Sequence, residues 1–353
     1  MFLDHGGDPK TAAEEFKAIT DVEKSPLPTV PSRSLETVLG ALQLTAGLTS
    51  TSGFIIRSSE AVPKEQGAYA SQDFKRGDMI LSEKPIFSIP INLSEIAKYK
   101  FVQDEVCKLS PTYLSSYLSL QNSHIDCSCY PNIAIGIFAT NSFALRDDDV
   151  GVCLKSSRFN HSCSPNARYS FNPRTKDLRV HALGTIRAGE EIFVMYISGR
   201  NVYGTPRKTR QTVLRARYHF TCACVSCSLS DEEAARSDAR RMKLTKLWNS
   251  IPAFSPTQGR QRLNVIVEGV NLLKEEGFLA DKDDFTNDAG IVCAYHSDWV
   301  SARFWAELTY RTRVEEFGKD SSRAEEVRGT YMNPKSFPMA GLGPVRAFTD
   351  IRV

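Results

Sequence analysis

Long apolar runs are missing from this chain. No stretch of about 18 consecutive apolar residues occurs, so nothing in the sequence reads as a membrane-spanning helix. The start lacks a basic cluster followed by an apolar stretch and a cleavage site, so no secretory leader is expected. A charge excess is lacking too. The 44 Lys and Arg stand against 41 Asp and Glu, a net charge of +3, which gives no bulk electrostatic attraction to nucleic acid. There is no second cysteine cluster of the kind a zinc-knuckle nucleic-acid binder would carry. Neither heptads nor a symmetric patch stand out, so a monomer is the default. Cysteine is present in nine copies, an odd number, and without a leader this points to a reducing compartment, nucleus or cytosol, and to metal rather than disulfides.

The 353 residues, 41% hydrophobic and 24% charged, allow a sizeable core and two domains. Residues 1–50 carry short helical patterns (Thr11 to Ile19, Leu35 to Leu44) around a Pro- and Ser-containing stretch, and read as an N-terminal extension. From Gly53 the texture turns to strands: Phe54 to Arg57, then Gly67 to Ala70 as a turn into another, then one or two between Asp78 and Ile89. Lys75-Arg76-Gly77-Asp78 reads as a hairpin turn between them. Residues 92–122 show apolar residues at three- and four-residue steps, a helical insertion. Ile133 to Phe143 mixes apolar residues with Thr140 and Asn141 and receives no assignment. Val150 to Leu154 reads as a strand, Ala167 to Phe171 and Leu178 to Ala182 as a hairpin around the Asn172–Asp177 turn, and Ile192 to Ile197 as a final strand. Beyond Cys227 helices are predicted over Asp231–Trp248, Gln261–Glu276, Ala289–Phe317 in one or two parts, and Ser321–Tyr331, separated by loops at Asn249–Gly259 and Gly277–Asp288 and followed by an extended tail from Asn333. The fold class expected is α+β.

Chemistry concentrates in three places. Arg158-Phe159-Asn160-His161-Ser162-Cys163-Ser164-Pro165-Asn166 packs two amides, an imidazole and a thiol into one turn-like stretch. Gly189-Glu190-Glu191 opens a strand that closes at Tyr196, with the two glutamates read as turn and salt-bridge residues rather than catalytic acids. Cys222, Cys224 and Cys227 put three thiols within six residues, a density suited to Zn²⁺ and one ligand short of a closed site. Each has a bland alternative: a satisfied packing histidine, a half-buried tyrosine at a strand end, incidental cysteines at a domain join. Cys127 and Cys129 beside His124 lack a clear fourth ligand and read as loop residues, whereas Cys107, Cys153 and Cys293 read as core.

Together these stretches resemble the signature of the SET-domain protein lysine methyltransferases, over about residues 53–228. The resemblance implies a fold of several small sheets with a helical insertion. It implies Cys163 as the fourth zinc ligand beside Cys222, Cys224 and Cys227, and assigns Asn160 and His161 to S-adenosylmethionine and Tyr196 to catalysis. Tyr218 and Phe220 then wall the lysine channel and stack near the adenine. Asn141, Ser142 and Phe143 match a segment that lines cofactor and substrate in the SET-and-MYND branch, and Gln66-Gly67-Ala68-Tyr69 matches the cofactor's glycine turn, with Glu65 where the first glycine would stand. A MYND finger is not expected, because residues 92–130 hold only Cys107, His124, Cys127 and Cys129 as soft ligands.

The implied activity is in-line transfer of a methyl from S-adenosylmethionine to a deprotonated lysine of a protein substrate, histone or otherwise, with no direct nucleic-acid or membrane partner. The alternative is a SET-fold scaffold that binds proteins without catalysis, for which Glu65 is the supporting feature. The expected domains are 1–50, an extension; 51–200, the SET domain with an insertion at 92–130; 201–228, the zinc-bound post-SET segment; 229–335, helices packed like tetratricopeptide repeats; and 336–353, a tail.

Overall fold

The computed structural model describes residues 53–58, 66–124, 132–146, 148–197, 202–278 and 280–353. The expectations for residues 1–50, for Glu65 and for Cys127 and Cys129 fall outside these.

Strands β1 (Phe54–Ser58) and β2 (Gln66–Ala70) pair antiparallel, Phe54 opposite Ala70. The Gly67 to Ala70 segment is thus a strand rather than a turn. Its other edge meets Glu190 and Ile192, through Ala70 N–H to the Glu190 carbonyl at 2.9 Å and Ile192 N–H to the Ala68 carbonyl at 2.7 Å. Gly67 serves close approach, since a Cβ there would collide with the Glu191 carboxylate. Lys75 to Asp78 does form a turn, with Gly77 at φ +89° and the Lys75 N–H capped by Asp78 Oδ2 at 2.7 Å. It is not a hairpin turn, because β3 (Met79–Glu83) joins a different sheet from β2.

Helices α1 (Glu95–Cys107) and α2 (Pro111–Leu118) form the insertion after β4 (Phe87–Pro90), each opened by a serine N-cap, Ser94 and Ser110. The unassigned segment after it is helix α3 (Ile133–Asn141) running directly into β5 (Ser142–Arg146). Ala134, Ile135, Gly136, Ile137 and Phe138 are all buried, so this helix is covered all round and shows no amphipathic period to read. With β6 (Asp149–Val152), β7 (Asn160–His161), β8 (Ala167–Asn172), β9 (Asp177–Ala182) and β10 (Phe193–Val194), the strands among the described residues build four small sheets: β1-β2, β3-β9-β8, β4-β6-β5 and a parallel β10-β7 pair. The strand expected over Ile192–Ile197 shrinks to two residues because side chains take over its ladder. Asn166 Oδ1 accepts from Phe193 N–H at 2.7 Å, and His161 Nδ1 accepts from Tyr196 N–H at 2.9 Å.

Helix α4 (Arg207–Tyr218), which the sequence reading did not anticipate, leads to the cysteine cluster and stops at His219, in the left-handed region at φ +56°. Then come α5 (Asp231–Ser250), α6 (Gly259–Glu275), α7 (Lys282–Tyr295), α8 (Trp299–Phe317) and α9 (Ser322–Met332). The predicted stretch Ala289–Phe317 is two helices, broken at Ser297 (φ +61°), and α7 begins inside the expected Gly277–Asp288 loop. Consecutive helices pack on one another around Trp305, Phe285, Leu263 and Ile266, all fully buried. The tail is irregular, yet Phe337, Phe348 and Ile351 anchor it in the same core. About 25 cal/mol per Å² of apolar surface removed from water makes such a core the main stabilising term there.

Arginines of the strand region meet carboxylates of the helices. Arg76 reaches Glu315 and Glu316 at 2.5 and 3.1 Å, and Arg179 reaches Asp320 at 2.5 Å.

Candidate active site

A cavity of about 310 Å³ opens where β2, the end of α3, the residues before β7 and the segment after α4 converge. Gln66, Asn141, Ser142, Phe143, Asn160, Tyr196, Tyr218 and Phe220 all line it, so eight of the residues singled out in the sequence share one wall. Gly67, Ala68, Tyr69 and His161 do not line it.

Asn160 is held by two acceptors: its Nδ2 donates to the Gln66 carbonyl at 3.2 Å and to Glu191 Oε1 at 2.8 Å. Glu191 is buried and also accepts from the Tyr69 hydroxyl at 2.9 Å. Glu190 plays the expected turn role, accepting from Arg187 N–H at 2.8 Å, whereas Glu191 fixes the Asn160 amide. Tyr69 therefore acts behind the cavity, through Glu191. Asn141 is pinned likewise, Nδ2 donating to the Gln121 and Ile137 carbonyls, both at 2.7 Å.

His161 lies between the cavity wall and the cysteines. Burial holds its pKa down at about 4, so the ring is neutral at pH 7. Because Nδ1 accepts the Tyr196 N–H, the ring proton resides on Nε2, which faces Cys163 Sγ at 3.3 Å. The Tyr196 hydroxyl donates to the Phe159 carbonyl at 2.8 Å, and its ring lies 5.1 Å from that of Tyr218 and 5.3 Å from that of His161. Burial raises the pKa of Tyr218 and of Tyr169, which keeps both hydroxyls protonated.

Tyr169, Arg158, Ser157, Ser119, Gln121, Ser123 and Thr140 also line the cavity and were not assigned from sequence. Arg158 stood inside the quoted motif without a role. Its guanidinium donates to the Ser119 carbonyl and hydroxyl at 3.1 and 2.6 Å, and burial lowers its pKa to about 10.

The sulfurs of Cys163, Cys222, Cys224 and Cys227 lie within 4.8 Å of one another. Cys163 Sγ is 4.0 Å from Cys222 Sγ and 3.6 Å from Cys227 Sγ. Zn–S bonds of about 2.3 Å in a tetrahedron require sulfurs about 3.8 Å apart, so the donor set fits the ion. The buried Arg210 guanidinium, 3.9 Å from Cys227 Sγ, would offset the negative charge of four thiolates around a dication.

Residues 65–197 match the SET domain family. This is a SET-domain protein. Relatives that it matches are named as lysine methyltransferases. A protein of Schizosaccharomyces pombe named histone-lysine N-methyltransferase set5 is 26% identical over 78% of this chain and 83% of its own length. The human N-lysine methyltransferase SMYD2 is 32% identical over 29% of this chain and 23% of its own. Among solved structures, Rubisco LSMT bound to AdoMet covers 85% of this chain and 92% of its own, at 13% identity and a TM-score of 0.32. The SET match ends at Ile197, so Cys222, Cys224, Cys227 and helices α4 to α9 lie beyond it, whereas Cys163 lies within it.

Proposed function

We propose that this cavity is where S-adenosylmethionine and a substrate lysine meet, and that the protein methylates lysines of other proteins. The observation that carries the reading is the convergence of Asn160, with both amide hydrogens committed to Gln66 and Glu191, and Tyr196, anchored on Phe159, in one aromatic-walled cavity. Asn160, Asn141, Gln66 and Phe220 are the residues we assign to the cofactor. His161 contributes by holding the Tyr196 backbone. Phe143, Ser142, Tyr196 and Tyr218 are assigned to the lysine.

When bound, S-adenosylmethionine supplies an electrophilic methyl group on a sulfonium. The chain's own task is to deliver the amine neutral and aligned. A free lysine has a pKa of about 10.4, and an enclosed aromatic channel disfavours its charged form, so the proton is shed on entry. Alignment then replaces a strong base, with the Tyr196 hydroxyl and the Phe159 carbonyl fixed at the reacting end.

The four cysteines we read as a structural zinc site that pins the Tyr218–Phe220 wall to the Asn160 strand. Residues 229–335 we read as a helical unit stacked in the manner of tetratricopeptide repeats. Histones are the substrate class suggested by the name of the fission-yeast relative, and a nuclear site of action goes with it. The test is calorimetric titration of the zinc-loaded protein with S-adenosylmethionine beside Asn160→Ala. Micromolar binding lost in the variant supports the cavity. No binding by folded wild type sinks the enzyme and leaves a protein-binding scaffold.

A further inference from the structure

Strand β8 is held from two sides. Arg168 and Tyr169 are consecutive in it, so their side chains leave opposite faces. Tyr169 lines the cavity and meets Phe143 edge-on, ring centroids 5.1 Å apart. Arg168 points to the helical half. Its NH1 reaches Asp281 Oδ1 at 2.6 Å and Glu316 Oε2 at 3.0 Å, and its guanidinium carbon sits 4.6 Å from the centre of the Phe317 ring.

Glu316 is the shared node. It is fully buried, accepts from Arg76 NH2 at 3.1 Å through Oε1, and through Oε2 also accepts the Asp281 N–H at 3.3 Å. In its sheet β8 is the last strand, paired with β9 alone. A strand with one neighbour shifts more easily than one with two. Beyond β9 the charged grip on β8, at Arg168, is this cluster from α8 and the residues leading into α7, with Asn172 tied to Asp320 at the strand's end and Phe143 against Tyr169.

We infer that Arg168 is a positioning residue for methyl transfer: clamped by Asp281 and Glu316, it sets where Tyr169 stands against the lysine end of the cavity, making the helical half a working part of the active site. This rests on the cavity being the methyl-transfer site. Breaking the clamp lets β8 move outward and loosens the wall around the amine, while the cofactor contacts at Asn160, on another sheet, are left in place.

The experiment uses the full chain with radiolabelled S-adenosylmethionine and mixed core histones as the probe. Arg168→Met and Glu316→Gln are each expected to lower kcat/KM for the protein substrate about 10-fold, with cofactor affinity unchanged within about 2-fold, because misplacement of the order of an ångström costs rate rather than cofactor contacts. Arg168→Lys, which keeps the charge and one ion pair, restores part of the loss. Tyr169→Ala combined with Arg168→Met should be no worse than Tyr169→Ala alone, since the arginine acts through the tyrosine.

Additive losses in that pair, or a cofactor affinity that falls along with kcat/KM, would overturn the inference. So would an Arg168→Met protein as active as wild type. If Arg168→Met does not fold, Arg168→Lys and Glu316→Gln decide by the same readouts. A folded wild type that fails to bind S-adenosylmethionine overturns the reading of the cavity itself, which is a different failure from an active enzyme indifferent to Arg168.

Discussion

The strand half and the helical half of this molecule are stabilised by different means. Helices α5 to α8 share one apolar core around Trp305 and Phe285, with helix ends closed by side chains such as the Ser230–Glu233 capping box. The strand half has four sheets of two or three strands, and several backbone groups there are satisfied by Asn166, His161 and Glu83 side chains instead of ladders. Its polar side chains are thus both skeleton and site. A substitution that touches the cavity in this half also touches the fold, whereas the apolar core of the helical half, away from the Asp281 and Glu316 clamp on Arg168, can lose stability without any change in the chemistry.

The sharpest break of this comparison is metal removal. With the four cysteines read as a zinc site, stripping the metal with a chelator, or Cys163→Ser, should abolish cofactor binding and unfold residues 207–228, since a structural zinc contributes on the order of 10 kcal/mol. Far-ultraviolet circular dichroism should retain the α5 to α9 signal. Collapse of both halves together would erase the distinction. Trp305→Ala is the reverse experiment. A cavity in the helical core should cost about 3–5 kcal/mol, read as a lowered Tm, with kcat unchanged at temperatures where the protein stays folded. Tyr196→Phe should lower kcat about 100-fold and Tm only by the loss of one hydrogen bond to the Phe159 carbonyl, as expected for a hydroxyl fixed at the reacting end.

Smaller effects refine the boundary between the halves. His181 on β9 is buried there with no hydrogen-bond partner at Nδ1, and burial, with Arg179 beside it, lowers its pKa from 6.5 to about 4. Between these values the unfolded chain takes up a proton that the folded chain refuses. Stability is therefore intact above pH 6.5 and falls as pH drops toward 4, by about 3 kcal/mol. Glu316 opposes this. Burial raises its pKa from 4.5 to about 7, so its contribution is present below pH 4.5 and lost as pH rises toward 7. Only the difference between wild type and His181→Gln in urea midpoints across pH 4–7 isolates the histidine, and equal slopes would refute its role. Ser230→Ala, removing one cap, should cost about 1 kcal/mol and leave activity alone.

What could be read from the sequence follows the same division. Helices α5 to α9 showed in apolar spacing, and errors there were of boundary only, as where α7 begins at Lys282 inside a predicted loop. In the strand half the chemistry was legible and the geometry was not. Asn141, Asn160, Tyr196, Tyr218 and Phe220 were nameable because motif and spacing carry them, and they meet in one cavity. Helix α3 went unread because burial on every side removes its period. Tyr169 and Ser119 went unread because a strand's pairing and an insertion's fold bring them to the wall, and neither leaves a local mark. His161 was assigned to the cofactor through the resemblance, but it does not line the cavity and its ring faces Tyr196 N–H and Cys163, a placement no linear pattern encodes.

The cavity has a consequence for the order in which the protein is made. Its walls come from Gln66 early in the strand half and from Tyr218 and Phe220 near the end of it, and the clamp on β8 is completed only by Asp281 and Glu316. On a ribosome the early strands must therefore wait, with a hydroxyl- and amide-rich hollow open to water, until most of the chain has emerged. On the proposed reading of the cavity, a nascent chain that stops before Phe220 lacks a wall of the cofactor site, and one that stops before Glu316 lacks the clamp on β8.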